Sequence, residues 1–193
     1  MTNAESKVRE CVAQELSKLK PAEGGAYGPE QLAQALRRVT TQCGPDLAEV
    51  ARLATAQDGE CSAAPHFCRY ALLAYQDARV SAWLLGWPEG NPGTEIHDHG
   101  DSHAAVAVIS GTVRETLYAE HGTQTVRDLP AGSIVRIPKE YIHKFEDERV
   151  GSEGLSLHLY SPPLARMGYW GYRPDGTFGR AGEWDAAAES KAA

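Results

Sequence analysis

The sequence predicts a mainly β domain, a small antiparallel barrel or sandwich under a helical N-terminal layer, and three observations carry this. From about Phe67 the chain breaks into short runs rich in Val, Ile, Leu, Tyr and Trp, divided by Gly and Pro. No helical periodicity is interleaved with those runs, so they cannot alternate as βαβ units. Before them, apolar residues recur at helical spacing. At 193 residues the chain reads as one domain, with a helical segment over 1–58, a barrel over 64–174 and a loosely held tail over 175–193.

In the first segment, Val8, Cys11, Val12, Leu16 and Leu19 share one helical face, and the helix stops before Pro21 and Gly24-Gly25. A second helix starts at Pro29 and carries Leu32, Leu36 and Val39; a third starts at Pro45 and carries Leu47, Val50, Ala51 and Leu53. These are scaffold faces with no reactive constellation. Strands are expected over 67–75, 79–87, 104–110, 112–119, 124–129, 133–137, 142–146, 155–160 and 168–173. Turns fall at Pro88 to Gly93, Ser110-Gly111, His121-Gly122 and Pro130-Ala131-Gly132.

Composition excludes several function classes. A formal net charge of −7, with no Lys/Arg run, argues against nucleic-acid binding. No stretch approaches the roughly 20 apolar residues a bilayer span needs. The N-terminus lacks the basic-then-apolar order of a secretion signal, so a cytoplasmic location is expected; a monomer is the expected state, though no sequence feature fixes it. Cys11, Cys43, Cys61 and Cys68 form no Cys-x-x-Cys pair and match no zinc-ribbon spacing, and free thiols are expected.

The chemistry concentrates in Ile96-His97-Asp98-His99-Gly100-Asp101-Ser102-His103, which holds three of the seven histidines. If this stretch is extended, His97 and His99 leave one face with backbones roughly 7 Å apart. Both rings can then reach one ion at about 2 Å. A metal needs a further ligand, and His143, where the chain re-enters the sheet after Pro138, is the best candidate.

Leu155 to Tyr160 alternates strictly: Leu155, Leu157 and Leu159 face one way, and Ser156, His158 and Tyr160 the other. Such a row can pass hydrogen bonds from Ser to imidazole to phenol. Its competitor is a solvent-facing polar strand. Arg69 is the only charge in Phe67-Cys68-Arg69-Tyr70-Ala71-Leu72-Leu73, and its fork suits a carboxylate. The competitor there is a structural ion pair. His66, His103 and His121 read as surface or supporting residues, and Tyr169-Trp170-Gly171-Tyr172 as barrel wall or edge.

Gly132, Pro138, His143 and Asp147 resemble the second cupin motif, and His97-x-His99 with Ala104 and Gly111 resembles the first. The usual motifs have Glu at Ala104, Gly at Glu140 and Asn at Asp147. Losing that Glu leaves a three-histidine face. A narrower resemblance, to the cysteine dioxygenase family, rests on Ile96 to His103, Arg114-Glu115-Thr116-Leu117-Tyr118, Ile142-His143 and Ser156-Leu157-His158-Leu159-Tyr160-Ser161-Pro162-Pro163. It implies a cupin fold, that is, a small β-barrel or jelly roll.

It also implies Fe(II) on His97, His99 and His143, with O2 as co-substrate and no organic cofactor. His158 as a fourth ligand is the less favoured arrangement, because the resemblance places it outside the ligand set. The resemblance further implies that Arg69 grips the substrate carboxylate, with cysteine favoured over 3-mercaptopropionate, whose oxidising relatives usually carry Gln there. Tyr160, oriented by His158 and Ser156, would steer oxygen or substrate.

Departures from the family are specific. Phe67 stands where a substrate-contacting Tyr is common, and Met167 where mammalian members have a Cys near the substrate. Ala104 replaces the mammalian Cys that crosslinks to the tyrosine equivalent to Tyr160, as in bacterial members. Ser161-Pro162 is a candidate cis bond.

The expected activity is oxidation of a small thiol, foremost L-cysteine to cysteine sulfinic acid, by a cytoplasmic iron dioxygenase of cysteine metabolism. Two alternatives stand beside it. One is the same site giving a further oxidised product, even one with an S–N bond, because Phe67 removes a polar anchor. The other is a non-enzymatic cupin, or one that binds a different metal.

Overall fold

The computed structural model describes residues 2–21, 25–56, 70–87, 93–146 and 154–186. Helix α1 (Asn3–Ser17) begins with a capping box: Thr2 Oγ1 accepts from Glu5 N, and the Glu5 carboxylate accepts from Thr2 N. Helix α2 (Pro29–Gln42) opens with Pro in its first turn, where a missing N–H costs no helical bond. Helix α3 (Gly44–Ala56) follows almost without a break.

The strands among the described residues are β1 (Tyr70–Gln76), β2 (Ser81–Trp87), β3 (His97–Asp98), β4 (His103–Ser110), β5 (Thr112–Tyr118), β6 (Gln124–Pro130), β7 (Ile134–Ile137), β8 (Ile142–Glu146), β9 (Gly154–Ser161), β10 (Arg166–Tyr172) and β11 (Phe178–Asp185). They form two antiparallel sheets, ordered β1-β2-β9-β4-β7 and β11-β10-β3-β8-β5-β6. The fold is a cupin β-barrel with a helical layer, as expected.

The five-stranded sheet is covered on both faces, which explains the texture of its strands. Outward-facing Ala82, Leu84, Ala105, Ala107, Leu155, Leu157 and Leu159 join Val8, Val12, Leu16, Leu32, Leu36, Val39, Leu47 and Val50 of the helices in one core. Facing inward, Ala104, Val106, Val108 and Tyr160 pack with Trp87, Val113, Val135, Ile137 and Phe145 in the barrel core. All eight residues of β9 are buried, so the solvent-facing reading of its polar row is excluded. Two further ties hold the layers: Arg9 Nε donates to Ala74 O (3.1 Å), and Tyr27 N donates to Ser161 Oγ (2.8 Å).

Two expectations are corrected. Cys11 and Cys43 are not free thiols; they form a disulfide with Cα atoms 6.7 Å apart. Packing α1 against the end of α2 brings both side chains into the same helical core, a pairing that sequence spacing does not reveal. The stretch from Asp175 is not wholly loose, because β11 pairs with β10 from Arg166↔Asp185 to Tyr172↔Phe178. Aromatic anchors hold it: Phe178 stacks on Tyr118 and Trp170, with centroids 5.5 and 5.8 Å apart. Ser161-Pro162 is cis. No helix among the described residues is long and apolar enough to cross a membrane.

Candidate metal centre

The short strand β3 lies between β8 and β10, with His97 paired to His143 on one side and to Tyr169 on the other. Directly paired residues project from the same face of a sheet, so His97 and His143 both enter the barrel. The extended segment is only two residues long, and His99 follows it. The chain then turns at Gly100, whose φ of 57° is left-handed and whose Cβ position lies 3.1 Å from Arg166 O; glycine meets both demands.

His97, His99 and His143 converge. One ring nitrogen from each lies within 4.8 Å of the others, and all three side chains are buried. Nε2 of His143 stands 3.4 Å from Nε2 of His99. Burial, and then the neighbouring His143, lower the His97 pKa to about 3 and push His99 well below its ordinary value. These two rings are therefore neutral near physiological pH, with nitrogen lone pairs available. Buried, neutral, converging imidazoles fit a borderline divalent cation such as Fe(II) or Zn(II).

The row on β9 is continuous. Ser156 Oγ lies 2.7 Å from His158 Nε2, and His158 Nδ1 lies 3.1 Å from Tyr160 Oη. Trp87 Nε1, a donor only, donates to Ser156 Oγ at 2.7 Å. Ser156 Oγ keeps a second lone pair and its own proton; in the tautomer where that proton goes to Nε2, Nδ1–H faces Tyr160 and the phenol proton faces the cavity. Burial lowers His158 to about 3 and raises the Tyr160 phenol well above its ordinary value. The Tyr160 ring meets His99 edge-on at 5.0 Å, which puts the row against the histidine cluster. Ala104 is directly opposite Tyr160 in the β4–β9 register.

Several supporting residues escape a sequence reading. Glu115 is fully buried on β5, and its Oε1 accepts from His143 Nδ1 at 2.9 Å. Arg127 Nε donates to Glu115 Oε2 at 2.6 Å. Burial pushes the Glu115 carboxyl up, but the bond from His143 and the Arg127 charge outweigh it and hold it below the ordinary range. Asp98 points away from the cluster and accepts from Gly100 N (2.8 Å), Gly168 N (3.2 Å) and Trp170 Nε1 (2.6 Å). Phe145 packs on His143 at 4.8 Å and His158 at 5.9 Å, walling the cluster and the row together. The one available signal was Glu115 itself, a lone acid amid a barrel strand within a stretch that carried the family resemblance.

Of the remaining expected residues, Met167 is buried on β10, two positions from Tyr169 and so on the face that His97 shares. His103 Nδ1 accepts from Lys139 N at 3.3 Å, a loop-supporting role. Phe67, Arg69, His66, Cys61, Cys68 and Asp147 lie outside the described residues.

Fold and cluster together define a cupin with a buried three-histidine centre. The chain belongs to the cysteine dioxygenase type I family, whose sequence profile matches residues 21–171. Among curated relatives, cysteine dioxygenase type 1 of Bos taurus is 33% identical over 96 residues, covering 46% of this chain and 48% of that protein. The Homo sapiens protein is 32% identical over 96 residues with the same coverage. The chain thus spans about half the length of the curated relatives it matches. Among solved structures, KdgF from Halomonas sp. is 21% identical, with 48% of this chain and 78% of that chain covered and a TM-score of 0.40. A cupin-2 domain protein from Shewanella frigidimarina is 20% identical, with 47% and 78% covered and a TM-score of 0.38. Both overlaps are too partial to bear on function.

Proposed function

We propose that this protein is an Fe(II)-dependent thiol dioxygenase that oxidises L-cysteine with O2 to cysteine sulfinic acid. The observation that carries the reading is the cluster of His97, His99 and His143, three buried histidines within reach of one ion. Membership of the cysteine dioxygenase type I family supports it. Each histidine would bind iron through the ring nitrogen facing the cluster. When bound, Fe(II) supplies the redox centre at which a thiolate and O2 meet. Three neutral ligands leave the metal more positive than a site with a carboxylate ligand, which favours an anionic thiolate.

The rest of the chemistry belongs to the chain. Arg69 would hold the cysteine carboxylate through its bidentate fork, the role the family resemblance implies. Tyr160 offers its phenol proton to the cavity, with His158 and Ser156 fixing the direction of that hydrogen bond. Met167 and Phe145 present apolar surface that keeps water from the reacting sulfur. The family resemblance assigns Phe67 to substrate contact, a role in which it would supply bulk but no hydroxyl. The reaction balances as one thiol plus one O2 giving one sulfinic acid, with both oxygen atoms on sulfur and no other reductant consumed.

Anaerobic loading with Fe(II), followed by aerobic cysteine, cysteamine or 3-mercaptopropionate in separate reactions, tests this. The expected result is O2 uptake with cysteine and a product heavier by two oxygen atoms. Arg69→Gln should shift preference away from cysteine. No O2 uptake by iron-loaded protein overturns the reading. A product joining nitrogen to sulfur replaces the sulfinate outcome.

A further inference from the structure

The three histidines are held in three different ways. His143 Nδ1 donates to a carboxylate oxygen of Glu115 at 2.9 Å, and His97 Nδ1 donates to the backbone carbonyl of Glu95 at 2.8 Å. His99 Nδ1 is buried with no hydrogen-bond partner among the described residues. An acceptor on the far nitrogen makes an imidazole a stronger donor through the near one, and a charged acceptor does so most.

Glu115 is placed for this with little freedom. In the β5 register it stands opposite Phe145 of β8 and Arg127 of β6, which leaves His143 diagonally adjacent on the same inner face. One carboxylate oxygen goes to His143. The other takes both Nε and Nη2 of Arg127, at 2.6 and 2.5 Å. The Arg127 side chain is 40% exposed, against none for Glu115. A charged chain therefore runs from the surface of the edge strand, through one carboxylate, to one face of the cluster.

We propose that Glu115 is a positioning residue that makes His143 the strongest donor of the three histidine ligands, and that Arg127 limits how much of the carboxylate charge reaches that ring. The inference rests on the assignment of His97, His99 and His143 as iron ligands. It predicts opposite effects from the two ends of the chain. Glu115→Gln keeps an acceptor for Nδ1 but removes its charge, so His143 donates less and Fe(III) is stabilised less. Arg127→Met removes the opposing charge, so His143 donates more. With Gln at 115, Arg127 has no carboxylate to oppose.

The test is a redox titration of the iron-loaded full-length protein, with Fe(II) affinity measured in parallel by chelator competition. In E115Q the midpoint potential should rise and Fe(II) affinity should fall by about 10-fold, the low end for loss of a ligand-orienting partner. In R127M the potential should fall. In E115Q/R127M it should match E115Q alone, because the two residues act through one path. R127M lies on an edge strand and keeps the test open if E115Q does not fold. Shifts of the same sign in both single variants, or no shift in either, overturn the inference. If wild-type protein and His143→Ala bind Fe(II) equally weakly, the ligand assignment itself fails.

Discussion

His158 Nδ1 lies 3.1 Å from Tyr160 Oη on the same inward face of β9, and the other ring nitrogen of His158 lies 2.7 Å from Ser156 Oγ. Trp87 Nε1 can only donate, so it occupies one lone pair of Ser156; with the Ser156 proton on His158 Nε2, His158 Nδ1–H points to Tyr160 Oη and the phenol proton is free for the cavity. The row thus delivers a phenol proton to the wall of the histidine cluster from a side chain that is itself buried.

Removing the terminal hydroxyl should therefore affect turnover far more than binding. Tyr160→Phe, which deletes only Oη, is expected to lower kcat by about 100-fold, the low end for loss of a positioned proton donor. KM for cysteine should change little if Arg69 and the metal hold the substrate. Ser156→Ala leaves Trp87 Nε1 and His158 Nε2 without that partner and should cost about 1–3 kcal/mol of stability. Steady-state kinetics by O2 consumption and urea titration of each variant separate the two effects. Equal loss of kcat/KM through KM alone in Tyr160→Phe would assign Tyr160 to substrate binding.

Acid sensitivity follows from burial of the same row. His158 has an ordinary value of 6.5 when unfolded and about 3 when folded, so between those values the unfolded chain binds a proton that the native chain does not. Stability should then fall as pH drops through that window, by about 1.4 kcal/mol per pH unit for this group. Above 6.5 and below about 3 the contribution is flat. In metal-free protein, His158→Gln should reduce the slope of unfolding free energy against pH by that amount. Urea titrations near neutrality and near the middle of the window measure it, and an unchanged slope would mean that His158 is charged in the native state.

Much of this was legible in the chain, for identifiable reasons. Period-two alternation over Leu155 to Tyr160 works because β9 is buried on both faces, apolar against the helices and polar beside the histidines. The same period hid β11, where Gly179, Gly182 and alternating charges dilute the pattern and Phe178 supplies the anchoring. His143 could be proposed as a partner for His97 and His99 because the strand-turn-strand pattern around Pro138 returns the chain to the sheet there. Glu115 and Arg127 could not, since their contacts depend on a diagonal neighbour across two strand pairings. The Cys11–Cys43 bond depends on how α1 meets the end of α2, which periodicity within either helix does not specify.

Asp98 separates the two neighbouring histidines and faces the opposite side of the sheet. Its carboxylate gathers Gly100 N, Gly168 N and Trp170 Nε1, so it ties β3 to β10 and pins the turn that aims His99. Asp98→Ala should cost about 1–3 kcal/mol, because the Trp170 N–H loses its acceptor in a part-buried setting. Asp98→Asn retains an acceptor and should cost less. Iron content after anaerobic reconstitution should fall in the same order, wild type above Asn above Ala. Full iron content in Asp98→Ala would show that the turn at Gly100 holds His99 unaided.

The disulfide offers a test of the helical layer that does not involve the metal. Cys11 and Cys43 close a loop with a sequence separation of 32 between two helices, of which α2 lies on β4 and β9 and α1 on β1. In the chain-entropy model, a link of that span contributes about 3–4 kcal/mol by restricting the unfolded chain. Cys11→Ser is expected to lower the melting temperature under non-reducing conditions and to melt close to wild type under strong reduction. Calorimetry of both proteins with and without a reductant compares them directly. A wild-type melting temperature insensitive to complete reduction would mean that packing of Val8, Val12, Leu36 and Val39 alone sets the stability of the layer.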